Sequence, residues 1–190
     1  TDTISGPVTC TPDQVQATET AGTPINGSCT NNAGLSTNAA PLTVRLDKTG
    51  PSADLTITGG TPGANGWFTS DVTVHTAGSD TISAPVTCTA DQHQTAETTG
   101  APFNDSCIND AGLTTNAAVL NVKLDKTGPV GVSSSIIAGT LGAHGWYISD
   151  VTVHSAGTDD ISGPVTCTGD QVLTVETAGQ SVDATCTNQA

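Results

Sequence analysis

The chain has 190 residues and a formal net charge of −14, because 18 Asp and Glu face only four Lys and Arg. So few cations cannot neutralise phosphates, which excludes nucleic acid as a partner and argues against contact with an anionic membrane surface. Aromatic residues make up only 3% of the chain and Met is absent, whereas Gly, Pro, Thr and Ser are frequent. This composition is typical of short β-branched strands joined by tight turns.

An internal repeat organises the sequence. The segment Asp-x-Ile-Ser-x-Pro-Val-Thr-Cys begins at Asp2, returns at Asp80 and returns again at Asp159. Its final cysteines give a period of 88 − 10 = 78 residues and then 167 − 88 = 79 residues. We therefore expect three domains and a chain that is a section of a longer array. The domains are a partial repeat that lacks its first strands (1–50), a complete repeat (51–128) and a partial repeat that lacks its last strand (129–190).

Six short strands are predicted along the complete repeat. In the second of them Val72, Val74 and Thr76 alternate with Thr73 and His75, which is the period of a strand with one buried face. Steady spacing and turns rich in Gly, Pro, Asn and Asp favour an antiparallel β-sandwich. The predicted strands cover residues 53–58, 71–77, 85–89, 94–98, 103–108 and 119–125.

Asp105 and the two tryptophans stand out from this strand pattern. Asp105 shares the inward phase of Phe103 and Cys107, so either the strand is bulged or its register is shifted by one residue. Trp67 and Trp146 each follow a Gly, and we expect each to open a strand and to cap the sandwich core.

Six cysteines occur as two per repeat, always 19 residues apart. A unit of this size with few aromatic residues has a marginal core, so one disulfide per repeat is expected, in an oxidising and hence extracellular or cell-surface setting. Zinc is the competing interpretation, but the sequence contains no Cys-x-x-Cys spacing. The predicted pairs are Cys10 with Cys29, Cys88 with Cys107, and Cys167 with Cys186.

Four recurring motifs resemble those of the bacterial immunoglobulin-like repeat family: Leu-Asp-Lys-Thr-Gly-Pro, Gly-Trp-x-x-Ser-Asp-Val-Thr-Val, Ala-Gly-x-Asp-x-Ile-Ser and Cys-x-Asn-x-Ala-Gly. The resemblance implies an all-β chain of tandem Ig-like antiparallel β-sandwich domains arranged as an elongated rod. It also implies a place on a large secreted or surface protein, as part of a stalk, adhesin or sheath. The chain departs from the family at Gly50 and Gly128, where Ala is frequent, and in its second cysteine.

The Leu-Asp-Lys-Thr-Gly-Pro motif joins neighbouring repeats without a flexible linker, and its proline restricts the backbone. If the family topology holds, acidic and amide side chains gather at each junction and offer the oxygen ligands that calcium prefers. The alternatives are that Asp and Asn simply form turns, or that Lys48 and Lys126 pair with the same carboxylates. The candidate calcium ligands are Asp47, Asp80, Asn109 and Asp110 at one junction, and Asp125, Asp159, Asp160 and Asn188 at the next.

The other polar candidates are surface features. Asn26 and Asn104 begin the sequons Asn-Gly-Ser and Asn-Asp-Ser, which are candidate N-glycosylation sites, whereas the third repeat has Asp183 there. His75 and His154 lack a second ligand at metal spacing in the sequence, and we expect solvated surface residues.

No nucleophile, base and acid recur together, so we do not expect an enzyme. Three roles remain open: a structural subunit of an extracellular filament, fibre or sheath; a stalk or spacer that presents the distal binding head of a surface adhesin; and a ligand-binding module. The near-identity of the repeats favours the filament, with other copies of the repeat as partners in tandem and laterally.

Overall fold

Short strands separated by turns account for the whole chain, as the Thr- and Val-rich composition predicts. The computed structural model describes residues 1–190 and is all-β, with one short 3₁₀ turn, η1 (Ala143–Gly145). It contains no helix with the length and apolar character needed to span a membrane. The strands are β1 (Val8–Cys10), β2 (Thr20–Ile25), β3 (Ser28–Asn31), β4 (Ser36–Asn38), β5 (Leu42–Leu46), β6 (Asp54–Gly59), β7 (Trp67–Phe68), β8 (Val72–Ala77), β9 (Val86–Cys88), β10 (Gln92–Gln94), β11 (Thr98–Phe103), β12 (Ser106–Asn109), β13 (Thr114–Asn116), β14 (Leu120–Leu124), β15 (Val130–Ala138), β16 (Val151–Thr158), β17 (Thr166–Cys167), β18 (Gln171–Leu173) and β19 (Cys186–Thr187).

The strands form several small sheets, in agreement with a β-sandwich. Pairing is antiparallel throughout, except that β7 runs parallel to β14. The same order recurs in successive repeats, since β1-β3-β4 corresponds to β9-β12-β13 and β6-β8-β10 corresponds to β15-β16-β18. The remaining sheets are β11-β14-β7, β2-β5 and β17-β19.

The chain folds into two compact units. The first contains Thr1–Leu55, Thr76–Ala90 and Asn104–Ala118; the second contains Thr56–His75, Asp91–Phe103 and Val119–Ala190. Each unit therefore holds one Leu-Asp-Lys-Thr-Gly-Pro segment together with the loops that follow it in the next repeat. The three domains defined from the repeat remain a sequence prediction.

The apolar core of the second unit lies on β8 and β14. Val72, Val74 and Leu124 have no exposed surface, and the alternation predicted for residues 72–75 is confirmed. Trp67 begins β7 beside β14, is 7% exposed and holds the ammonium of Lys123 at 5.6 Å from its ring centroid. Trp67 therefore caps this core, as predicted.

Trp146 does not take the same position, so the expectation for it is wrong. Its side chain is 56% exposed, although it occupies the same place in the repeat as Trp67. Trp67 is covered because β14 lies alongside β7, with Lys123 opposite it. Trp146 instead follows η1 and precedes the isolated bridge of Tyr147 with Leu141, so it does not begin a strand.

One further strand prediction is wrong, and one short strand was not predicted. Residues 94–98 are not one strand, because Gln94 ends β10, Thr98 begins β11, and the Gln94 side chain donates to the Ala96 carbonyl at the turn between them. The strand β13 (Thr114–Asn116) was not predicted, since three polar residues carry no apolar alternation.

The structure resolves the phase of Asp105, which lies in the first unit. Its side chain is 6% exposed, so it faces inward, and the predicted strand 103–108 is interrupted between β11 and β12 at this residue. The Thr76 hydroxyl donates to Asp105 Oδ2 at 3.1 Å, and Ala117 N–H donates to the Asp105 carbonyl. The Thr76 hydroxyl replaces part of the hydration that this buried carboxylate loses, whereas the Ala117 N–H satisfies the backbone carbonyl.

Three disulfides are present, one in each repeat. Each one joins two directly opposed residues of adjacent antiparallel strands, as shown by the register of β1 with β3, β9 with β12 and β17 with β19. The bonds are Cys10–Cys29, Cys88–Cys107 and Cys167–Cys186.

We expect the double substitution Cys88→Ala with Cys107→Ala to lower the free energy of unfolding by about 3 kcal/mol, because the unfolded chain regains loop freedom. Urea unfolding followed by circular dichroism measures the change. Intact mass with and without reductant checks the starting state, since each disulfide takes up two hydrogens. An unchanged unfolding midpoint would contradict a structural role for this bond.

Candidate functional site

The recurring Asp-x-Ile-Ser motif folds into a turn that is closed by its own aspartate. Asp80 Oδ1 accepts hydrogen bonds from the backbone N–H groups of Ile82 at 2.8 Å and Ser83 at 2.9 Å. Asp side chains favour such turns because they mimic a backbone acceptor. The same pair of bonds forms at Asp2 and at Asp159. This turn leaves the second carboxylate oxygen free to bind elsewhere.

The Cys-x-Asn-x-Ala-Gly motif orients an amide toward that oxygen. Asn109 is 5% exposed at the end of β12, and its Oδ1 accepts the Leu113 N–H at 2.9 Å across a tight turn. Gly112 adopts φ +85° in this turn, a conformation that glycine takes at little cost. With Oδ1 held by the turn, Nδ2 of Asn109 must face the opposite way.

Asn109 Nδ2 lies among three oxygen atoms at the first junction. It is 3.1 Å from Asp47 Oδ2, 3.2 Å from the Thr49 carbonyl and 2.9 Å from Asp80 Oδ2. The Ser83 hydroxyl also donates to Asp47 Oδ2. One network thus connects the strand that ends the first repeat to two loops of the second, and all its members lie in the first unit.

The second junction repeats this network within the second unit. Asn188 Nδ2 is 3.0 Å from both Asp125 Oδ2 and the Thr127 carbonyl, and 2.9 Å from Asp159 Oδ2. The Ser162 hydroxyl donates to Asp125 Oδ2 at 2.5 Å. Asp125 is only 1% exposed, so these donors, together with the Thr127 N–H, replace the water that its carboxylate loses.

The corresponding loops of the first repeat also bind each other. Asn31 Nδ2 donates to Asp2 Oδ2 at 2.8 Å, and Ser5 Oγ donates to the same oxygen at 3.0 Å. The pKa of Asp2 is held well below its ordinary value, first by the Ser5 N–H and then by Asn31. The bond between the asparagine of one loop and the aspartate of the other is therefore present in all three repeats.

The amide groups also set the charge state of the junction carboxylates. The side-chain amide of Asn109 lowers the pKa of Asp80, and that of Asn188 lowers the pKa of Asp159, with backbone N–H donors of each turn adding to the effect. Hydrogen bonds to the ionised form favour ionisation. Both aspartates are therefore anions under ordinary conditions.

The lysine of the junction motif binds in the opposite direction along the chain. Lys126 Nζ lies 2.9 Å from Asp71 Oδ1 and 2.7 Å from the Thr95 carbonyl, while its N–H donates to Glu97. Lys48 Nζ likewise binds the Ala17 carbonyl of the first repeat. Neither lysine contacts the junction carboxylates, so that alternative is wrong.

Six of the eight predicted junction residues come together, in two sets. Asp110 and Asp160 are exposed and their carboxylates lie outside the networks. Sequence analysis missed Ser83 and Ser162, although the serine of Asp-x-Ile-Ser recurs in all three repeats. The assembled sets are Asp47, Asp80 and Asn109, and Asp125, Asp159 and Asn188.

Calcium at the junctions remains a prediction, and the present side-chain orientation does not fit the ion. The point where the carboxylates converge is occupied by the Asn109 amide nitrogen, and a cation there would meet N–H donors. Exposing Oδ1 instead would require the amide to turn over and lose its bond to the Leu113 N–H. No cluster of three or more His, Cys, Asp or Glu side chains is arranged to hold a metal.

The predicted glycosylation sites are both exposed. Asn26 lies between β2 and β3, and Asn104 lies between β11 and β12. Their positions in short connections leave their side chains accessible, and glycosylation itself remains a prediction.

Comparison of the chain with models of known protein families, with characterised proteins and with solved structures finds no match. The feature that recurs with the same contacts is the junction network, built twice from corresponding residues.

We expect the melting temperature to fall as the pH drops below about 4, because the folded pKa values of Asp80 and Asp159 lie below the unfolded value of 3.8. Their contribution is complete above the unfolded pKa and is lost as the pH falls through the folded pKa. Thermal melts of wild type and Asp80→Asn measure it. The difference between the two should shrink with acidification, while Asp110→Asn should match wild type throughout; a difference that grows would contradict the assignment.

We expect Asn109→Asp to destabilise the junction by about 1–3 kcal/mol, because it replaces a buried donor with a third carboxylate beside Asp47 and Asp80. Added Ca²⁺ should restore part of the loss, since the variant offers oxygen ligands where the amide stood. Melting temperatures in Ca²⁺ and in chelator make the measurement. Wild type should melt alike in both, and a lower wild-type value in chelator would instead support the calcium prediction.

Proposed function

We propose that the chain is a structural subunit of an extracellular filament, fibre or sheath built from tandem Ig-like repeats. The observation that carries the proposal is the recurrence of one hydrogen-bond network at two successive junctions, with Asn109 in one and Asn188 in the other. A connection that must hold every pair of neighbouring repeats in the same relation needs the same contacts each time. A linker between independent binding domains has no such requirement.

The junction motif supports this role because it binds in both directions. Asp47 bonds forward to Asn109 and Ser83 of the next repeat, whereas Lys48 bonds back to the Ala17 carbonyl and to Glu19 of its own repeat. Adjacent residues of one short segment are thus fixed to two successive repeats. Such double attachment restricts bending, and we propose that the array is a stiff rod.

The disulfides support an extracellular site of action. Three of three cysteine pairs are oxidised and no cysteine is free. Disulfides persist in oxidising compartments and reinforce small domains whose cores are marginal. A filament outside the cell needs this reinforcement because no chaperone or reductant repairs it there.

The surface supports assembly more than the recognition of a foreign ligand. The Asp-x-Ile-Ser turn is closed by the same bond in every repeat, and the asparagine of Cys-x-Asn donates to its aspartate in every repeat, so both motifs are occupied by structural bonds. A recognition module presents loops that vary, because specificity comes from the loops. The charge of −14 keeps an extended array soluble and separated from unrelated anionic surfaces.

The experiment is electron microscopy of the native material, with lateral order between strands of domains as the measured feature. We expect regular fibres with an axial repeat close to the length of one domain. Isolated thin strands that end in a distinct globule would contradict the filament and support an adhesin stalk instead.

A matched pair of variants connects this test to the junction. Asn109→Leu with Asn188→Leu removes the amides from both networks, and we expect fibres that are shorter and more curved. Asp110→Asn with Asp160→Asn changes neighbouring exposed residues outside the networks, and these fibres should match wild type. Equal curvature in both pairs would show that the networks do not set stiffness.

A further inference from the structure

The outer face of the sheet β6-β8-β10 carries two histidines that the proposed function does not use. On β8, Val74 is buried and therefore Thr73 and His75 lie on the other face. The register places Gln92 opposite Val74 and His93 opposite Thr73. His75 and His93 are thus exposed diagonal neighbours on one face of the sheet, and both belong to the second unit.

Each imidazole is held through Nδ1 by the residue across from it. His75 Nδ1 lies 2.6 Å from Asp91 Oδ1, and His93 Nδ1 lies 3.1 Å from Thr73 Oγ1. An ionised carboxylate only accepts hydrogen bonds, so neutral His75 carries its proton on Nδ1 and its lone pair on Nε2. A carboxylate at the second ring nitrogen is the usual support of a metal-binding histidine, because it fixes the tautomer and raises the basicity of the ligand atom.

We propose that Nε2 of His75 and Nε2 of His93 together bind a divalent transition-metal ion of the Zn²⁺ and Cu²⁺ class, with Asp91 as the positioning residue of His75. Imidazole nitrogen is a ligand that these ions prefer to carboxylate or carbonyl oxygen. The two protein ligands come from adjacent strands, and water completes the coordination on the exposed face.

The separation of the two histidines and the net charge of the chain both favour a shared metal ion. Diagonal residues on antiparallel strands are about 7–8 Å apart, which two imidazoles span when each lies about 2.0–2.1 Å from one ion. The net charge of −14 raises the local concentration of divalent cations. With two protein ligands and water in the remaining positions, we expect the site to release its ion readily to a chelator.

The third repeat contains a natural control for the second ligand. His154 Nδ1 lies 2.7 Å from Asp170 Oδ1, so this histidine is oriented as His75 is. Val172 stands opposite Thr152, in the place that His93 takes opposite Thr73. The third repeat therefore has the oriented histidine without its companion and is expected to bind the ion weakly.

Sequence spacing could not reveal this pair. His75 and His154 were expected to be solvated, and both side chains are about half exposed, at 47% and 49%. Each nevertheless has an aspartate partner 16 residues away along the chain. The partners meet because antiparallel pairing brings β10 beside β8 and β18 beside β16.

The test is calorimetric titration of the full 190-residue chain with Zn²⁺, using two matched variants. His93→Val gives the second repeat the residue of the third, and we expect its affinity to fall to that of the third repeat. Val172→His gives the third repeat the second ligand, and we expect a second binding event of similar affinity. Circular dichroism and melting temperature confirm that each variant is folded.

Nuclear magnetic resonance of the histidine rings locates the ion independently. In wild type, Zn²⁺ should shift the ring signals of His75 and His93 well before those of His154 and His144. Unchanged affinity in His93→Val, a single site in Val172→His, or first shifts at His144 would each overturn the proposal. None of these results depends on whether the chain forms filaments, so the two proposals fail separately.

Discussion

The amide nitrogen of a single asparagine, placed between two carboxylates, is the contact on which each junction depends. Asn109 Nδ2 carries two hydrogens but has three oxygen neighbours within 3.2 Å, two of them from aspartates. Such a donor is effective only if it cannot rotate, because a reversed amide would place a third oxygen beside the carboxylates. Everything that fixes this side chain therefore also fixes the strand end and the loops that meet at the junction.

The disulfide supports that orientation from two residues away. Cys107 and Asn109 share the inward face of β12, at 1% and 5% exposure, and β12 is paired with β9 along its length. The bond to Cys88 ties these strands together two residues before Asn109. A cystine in a small sheet thus does more than close a loop, since it holds the strand end that presents the amide. The same two-residue spacing separates Cys186 from Asn188 in the third repeat.

Much of this arrangement follows from the sequence, and the exceptions have physical causes. The alternation of apolar and polar residues identified β8, because the apolar Val72 and Val74 face the core. The repeated Asp and Asn residues identified the junctions. Asp110 was misplaced because it follows Asn109 directly, and successive residues cannot share a direction. The cross-strand partner of His75 depends on which strand lies alongside, and no local pattern contains that information.

The distribution of charge connects the polar junctions to an acidic surface. Inside the networks Asp80 and Asp159 remain ionised because amide and backbone N–H donors lower their pKa values. The uncompensated charges lie outside the networks, where they repel one another along the chain. The carboxylates are therefore stabilised by protein donors inside the networks and by water outside them, which suits a chain with few aromatic residues to bury.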